Sequence, residues 1–344
     1  MWPKSFEAFE RFVHGPALAG RHVLVAVSGG LDSVTLLHAL VASKHAAGID
    51  LSVAHIHHGL RGESADLDEA LVSELSAGYQ VPCLGARVAP RSLQKDVPQS
   101  ERPTLQEAAR RLRYAALEEL RVEAGADCIA TAHHLDDQAE TVLGRLFRGT
   151  SPDGLGGMAP VSEDQRLVRP LLELSRSEIE AWARAEGLRW REDESNESDA
   201  YTRNRLRNSW IPGLSEAFNP QLLRAVAKLA EAQRRDSAWI GLSVSEIWPD
   251  WVVADDGDLV LRLRGWGDLP EALSHRLVER AVRALGGGRH LSRTHIERAL
   301  AFLASPDRHE GGRSLELPSG LRLVRESKAW RLRRSWPAPG GRPT

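Results

Sequence analysis

Cysteine is nearly absent from this chain: two in 344 residues, Cys83 and Cys128, with no Cys-x-x-Cys pair. That excludes a disulfide scaffold and a thiolate-rich metal centre. It leaves two small residues expected to be buried in a reducing compartment, the cytoplasm. No apolar run approaches the roughly 20 residues of a membrane-crossing helix, so no membrane partner is expected. The start, Met1-Trp2-Pro3-Lys4, lacks the apolar core of a signal peptide. Neither sign of charge dominates: 45 Lys+Arg against 47 Asp+Glu give a formal net charge of −2, so overall charge does not announce a polyanion partner. What is there, 42% hydrophobic and 27% charged residues, suits a globular chain long enough for two or three domains.

The most informative stretch lies near the N-terminus. Val23-Leu24-Val25-Ala26-Val27 reads as a buried strand, Ser28-Gly29-Gly30-Leu31-Asp32-Ser33 as a turn, and a helical pattern opens behind it. Glycines let the backbone approach a ligand, and a helix start offers unpaired N–H groups, so the arrangement suits phosphate. It is neither a Walker loop, which ends in Gly-Lys-Ser/Thr, nor a dinucleotide fingerprint, which needs a third glycine. It resembles the PP-loop of ATP pyrophosphatases, which implies ATP held by Ser28, Gly29, Gly30, Leu31, Asp32 and Ser33. The alternative is a plain strand–helix turn of small residues.

Four strand–helix units follow one another: strand 23–27 with helix 31–47, strand 51–56 with helix 63–78, a weak strand 82–88 with helix 104–124, and strand 128–132 with helix 135–148. This alternation predicts an α/β fold, a parallel Rossmann-like sheet with helices on both faces and its ligands beyond the carboxyl ends of the strands. After the second strand stand His55, His57, His58 and Arg61, either lining a nucleotide site or forming a polar strand end; with no cysteine or paired carboxylate, they make a weak metal site. After the fourth come His133, His134, Asp136, Asp137 and Glu140. Helical spacing puts His133, Asp136, Asp137, Glu140 and Gly144 on one side, and Leu135, Ala139, Val142, Leu143 and Leu146 on the other, against the sheet. The acids can hold Mg²⁺ or an incoming ammonium; the plainer alternative is a solvated acidic first turn. Thr104 and Glu107 are spaced as a capping box, Glu107 and Arg111 as an i,i+4 ion pair, and Arg113 is left to face a phosphate or an RNA.

Residues 149–158 are glycine-rich and read as a mobile lid or a turn. A helix is expected at 175–186, opened by Arg176. Arg203, Asn204, Arg205 and Arg207 follow; alternating arginines look too numerous for a buried face and suit a phosphate contact or a solvated helix start. Helices are expected at 220–240, 270–285 and 293–304, with a short strand at 259–263. Arg276, Arg280, Arg283, Arg289, His290, Arg293 and His295 make a candidate footprint for a polyanion, and 313–334 reads as a small β-meander with a basic face. The expected domains are 1–215 (catalytic), 216–310 (helical) and 311–344 (small, β-rich).

Ser28–Ser33, His58-Gly59-Leu60-Arg61, Ala108–Tyr114, Ala132–Thr141 and Asn204-Arg205 together resemble the tRNA(Ile)-lysidine synthetases. The resemblance runs from about 22 to 215 and implies a ligase: ATP adenylates the wobble cytidine of a tRNA(Ile) with a CAU anticodon, and free L-lysine displaces AMP to give lysidine. It implies catalytic roles for Asp32, Arg113, His133, Asp137 and Glu140. ATP falls to Ser28–Ser33 with His55 and His57, lysine or tRNA to Asp136, Asp137, Glu140, Arg203, Asn204, Arg205 and Arg207, and Mg²⁺ to Asp32 and Asp136. The oligomeric state stays open, a homodimer among the expectations. A PP-loop cytidine thiolase is the alternative, disfavoured by the missing cysteine pair; a non-catalytic RNA-binding protein is the other.

Overall fold

The computed structural model describes residues 2–57, 59, 63–94, 102–192, 202–287, 291–304 and 313–334. The chain divides into two compact units, 1–150 with 154–231, and 151–153 with 232–344.

The first unit begins with α1 (Glu7–Val13). It continues through β1 (His22–Ala26), α2 (Leu31–Ala47), β2 (Asp50–His57), α3 (Glu63–Gly78), β3 (Cys83–Arg87), α4 (Leu105–Glu123), β4 (Cys128–Ala130) and α5 (Leu135–Phe147). After a short α6 (Pro152–Leu155) come β5 (Leu167–Val168), α7 (Arg176–Ala185), α8 (Thr202–Arg205), a π-helical turn at Leu206–Trp210, α9 (Ile211–Ala217) and α10 (Leu222–Trp251), of which residues from 232 onward belong to the second unit. The sheet is parallel, in the order β3-β2-β1-β4-β5. β1 is central, and Val23, Leu24 and Val25 are fully buried, as a strand covered on both faces requires. One face carries the core of Phe9, Val25, Leu37, Leu40, Leu171 and Trp182; the other packs Leu24 and Ile129 under Leu117 and Leu120 of α4.

The parallel α/β expectation holds, with corrections. β5 was not anticipated, since a two-residue strand carries no periodicity. β3 lies at the sheet edge, so Cys83 is exposed, and only Cys128 is buried as expected. Ala139 and Val142 of α5 pack with Val226 and Ala230 at the start of α10 rather than against the sheet, and Leu146 is exposed. Glu107 caps α4, accepting from the Thr104 backbone N–H at 2.8 Å, and makes no ion pair with Arg111. Residues 154–158 are held rather than loose: Gln138 donates to the Met158 carbonyl (2.9 Å) and accepts from its N–H (2.7 Å), while Arg145 Nη1 donates to Gly154 and Gly157 carbonyls.

The second unit is one core, not a helical domain followed by a separate β-region. The hairpin β6 (Val252–Asp255) and β7 (Asp258–Leu261) precedes α11 (Glu271–Ala284) and α12 (Arg293–Leu303). β8 (Ser314–Leu317), β9 (Leu321–Arg325) and β10 (Trp330–Arg334) then complete an antiparallel sheet, β6-β7-β10-β9-β8. Leu277, Val282 and Ala299 of the helices share a core with Leu261, Leu323 and Trp330 of the strands. Asp256 and Gly257 take φ of 47° and 81°, the left-handed pair of a tight hairpin, so β6 returns at once as β7, and β10 then pairs β7, with Trp330 opposite Leu261, to tie the late strands to that hairpin. No helix among the described residues is long and apolar enough to cross a membrane.

Candidate active site

In the order β3-β2-β1-β4-β5, the winding reverses between β1 and β4. A crevice opens at the carboxyl ends of strands at such a point. The two segments that meet there are the turn after β1 and the stretch between β4 and α5.

The turn after β1 is built to leave N–H groups open. Gly30 caps α2 with no side-chain hydrogen bond, and Gly29 takes φ +91°, which a side chain resists. The hydroxyls at both ends of the motif meet: Ser33 Oγ accepts from the Ser28 backbone N–H, lies 3.1 Å from Ser28 Oγ and donates to the Gly30 carbonyl. Behind the turn, His55 Nδ1 donates to the Val27 carbonyl (2.9 Å). Arg191 braces it further, its N–H donating to the Gly29 carbonyl at 3.0 Å and its Nε to Asp68 of α3 at 2.7 Å. Arg191 and Asp68 carried no sequence signal, because Arg191 meets a backbone carbonyl 162 positions away and Asp68 meets Arg191 across 123.

The acids gather around His134. This imidazole is 1% exposed; its Nε2 lies 3.7 Å from Asp32 and 3.4 Å from Asp137, and its Nδ1 3.6 Å from Asp136. Burial disfavours its charged form, but the three carboxylates outweigh burial and hold its pKa above the ordinary value. Burial raises the Asp32 pKa, against His134 and Arg176, and Asp32 Oδ1 is buried without a hydrogen-bond partner. Asp136 is lowered despite burial, by His134 and by the Arg176 backbone N–H that donates to it at 2.9 Å from the start of α7. Arg207 closes the cluster, donating from Nε to Glu140 (2.5 Å) and from Nη2 to Asp137 (3.0 Å). The alternation of Arg203, Arg205 and Arg207 suggests an outward Arg207 facing a nucleic acid. The π-helical turn instead carries it onto the acids, and π turns often mark functional sites. Arg205 is exposed, and the side chain of Arg203 lies outside the described residues.

His133, not His134, was expected among the acids. Residues 131–134 are not yet helical, so neighbouring side chains diverge, and His133 Nδ1 pairs with Thr131 Oγ1 at 2.9 Å. Burial, and then the charges of Arg169, Arg113 and Arg110 against the pull of Asp137, push its pKa down to about 3.

His57 accepts from the Gly59 N–H at 3.2 Å, and its Nε2 lies 3.3 Å from Asp66 of α3. His57, Asp66 and Glu69 could together hold a metal ion, but Arg87 lies 3.5 Å from Asp66 and 2.9 Å from Glu69, a charge balance that needs no ion. His58 and Arg61 lie outside the described residues. In the second unit the anticipated basic footprint is largely neutralised: Arg331 pairs with Asp255, Asp258 and Glu326, Arg322 with Glu316, Arg283 with Glu279 and Arg293 with Glu297. Arg280 stacks on Trp248, and Arg289 and His290 lie outside the described residues.

Residues 4–214 match the model of the PP-loop domain. The tRNA(Ile)-lysidine synthase of Solibacter usitatus is 36% identical over 91% of this chain and 67% of its own length; that of Geobacter sulfurreducens is 38% identical over 91% and 65%. The chain thus spans about two thirds of the length of these curated relatives. Among solved structures, the U34-tRNA thiolase of Methanococcus maripaludis superposes with a TM-score of 0.56 at 16% identity, covering 67% of this chain and 79% of that one, a likeness of fold. With a phosphate loop and an acid cluster at one switch point and this degree of identity over nearly its whole length, the chain belongs to the PP-loop family of the tRNA(Ile)-lysidine synthases.

Proposed function

We propose that the chain ligates lysine to the C2 carbon of the wobble cytidine of tRNA(Ile) with a CAU anticodon, consuming ATP and releasing AMP and pyrophosphate. The observation that carries this reading is the contact of Asp32, on the phosphate loop, with His134 in the acid cluster, at 3.7 Å. It puts a seat for a triphosphate beside a seat for an ammonium group. The relatives' name supplies the tRNA and the lysine.

Each step makes a demand that the residues can meet. A pyrimidine carbonyl oxygen leaves poorly; esterified to AMP it leaves well, so the first step is adenylation. The loop N–H groups and the Ser28 and Ser33 hydroxyls hold the phosphates. Asp32 and Asp136 would hold Mg²⁺, and the buried, unpartnered Oδ1 of Asp32 fits a cation. That ion, when bound, neutralises phosphate charge. Arg113 lies beside a histidine that stays neutral, where cationic and N–H donors face growing negative charge. The lysine ε-ammonium must bind and then lose a proton. Asp137 and Glu140 do both, sharing their oxygens with Arg207. The target base leaves the anticodon loop to react, as enzymes acting on a base require.

The test is pyrophosphate release with purified tRNA, with and without lysine, alongside radiolabelled lysine incorporation. Release coupled to incorporation supports the reading. Release with incorporation of sulfur, or RNA binding with no release, would replace it by thiolation or by plain RNA binding.

A further inference from the structure

α4 and the segment after β5 bring cations together around one tyrosine. The Arg110 guanidinium lies 5.0 Å from the centre of the Tyr114 ring, and that of Arg113 lies 5.3 Å from it. Arg169 joins them: Arg110 and Tyr114 both act on its charge, and it donates from Nη1 to the Ala159 carbonyl. Its Nε is buried with no hydrogen-bond partner, and the buried Tyr114 hydroxyl lies close enough to act on the Arg169 guanidinium as a hydrogen-bonding group. Among the described residues, no carboxylate pairs with Arg110 or Arg169.

Like charges held this close repel, and a buried donor left without a partner, Arg169 Nε, adds a desolvation cost. An oxyanion removes both costs at once. It accepts from the guanidinium forks, whose planar geometry suits phosphate, and from the phenol. We infer that Arg110, Arg169 and the Tyr114 hydroxyl form a phosphate subsite beside His133, separate from the Ser28–Ser33 loop. The inference rests on the reading that this face handles ATP and RNA, the two sources of such a group: a nucleotide phosphate or a backbone phosphate. His133, neutral at physiological pH, adds a hydrogen bond there without adding charge.

Two binding measurements separate the sources, and neither requires turnover, so a failure of lysine ligation leaves them readable. Calorimetry with inorganic pyrophosphate reports the first, and tRNA binding across a salt series the second. Both are run on wild type, Arg110→Gln, Arg169→Gln and Tyr114→Phe, with Arg111→Gln as the exposed control on the same helix and a thermal midpoint for each. Arg169→Gln should weaken one ligand about tenfold, the value of one charge-assisted bond, and Tyr114→Phe a few-fold. Loss of pyrophosphate assigns the subsite to the nucleotide. Loss of tRNA, with the salt slope reduced by about one per arginine, assigns it to the backbone. Arg110 is exposed, so its variant should fold as wild type does. If that folded variant binds both ligands as tightly as Arg111→Gln does, the subsite does not exist.

Discussion

His133 and His134 are neighbours in sequence and opposites in setting. The first lies under the influence of Arg110, Arg113 and Arg169 with its pKa pushed to about 3; the second sits among Asp32, Asp136 and Asp137 with its pKa raised. Burial acts on both in the same direction and Asp137 raises both, so the difference comes from the Asp136 hydrogen bond and the carboxylates of Asp32 and Asp136 at His134, against the three arginines at His133. One peptide step therefore separates a basic surrounding from an acidic one. A site that must bind phosphate and ammonium at once needs such a boundary.

The strongest way to break this contrast is to remove Asp32, which joins the phosphate loop to the acidic side. Asp32→Ala should lower ATP-dependent pyrophosphate release about a thousandfold, with little change in the thermal midpoint; retained turnover would remove this carboxylate from the mechanism. Next comes Arg207→Ala, which takes the guanidinium away from buried Asp137 and Glu140. The expected loss is about 3 kcal/mol in urea denaturation, with Arg207→Lys recovering part of it. A fall below 1 kcal/mol would mean that the pair is solvated.

Smaller effects sharpen the comparison through titration. In NMR spectra His133 should stay neutral down to about pH 3, while His134 should hold its proton beyond the ordinary 6.5. The signs for stability oppose each other. His134, raised, adds stability that is complete below pH 6.5 and is lost as pH climbs through its folded value. His133, lowered, costs stability that appears as pH falls below 6.5 and grows until about pH 3. Asp137→Asn should move both histidine values down, since this carboxylate raises each of them. The smallest effect belongs to exposed Arg205: its change to Gln should lower the salt slope of tRNA binding by about one and leave pyrophosphate binding unchanged.

The first sheet and the two segments at its switch point were legible because each is written locally, as an apolar run followed by Gly-Gly or by His-His-Leu-Asp-Asp. What was not legible was pairing at long range. Arg207 meets Asp137 and Glu140 across about 70 positions, and nothing in an alternating Arg-x-Arg says which arginine turns inward. A helical wheel run across residues 131–134, which are not yet helical, groups His133 with the acids, whereas it is His134 that meets three of them; His133 feels Asp137 alone among them. The hairpin at Asp256-Gly257 carried a usable signal, the Asp-Gly turn itself, which marks β6 and β7 as a pair; the pairing of β7 with β10, about 70 positions on, carries none.

That second sheet also orders events in time. β10 lies in its middle, between β7 and β9, and Trp330, which starts β10, is fully buried. Leaving the ribosome, β6 and β7 wait through some 70 further residues for the strand that joins them to β8 and β9, while the first unit already has every segment it needs. A nascent chain stalled near residue 320 would thus carry a finished ATP-handling half beside an unsealed one. Chaperone capture or proteolytic clipping should concentrate on that second half.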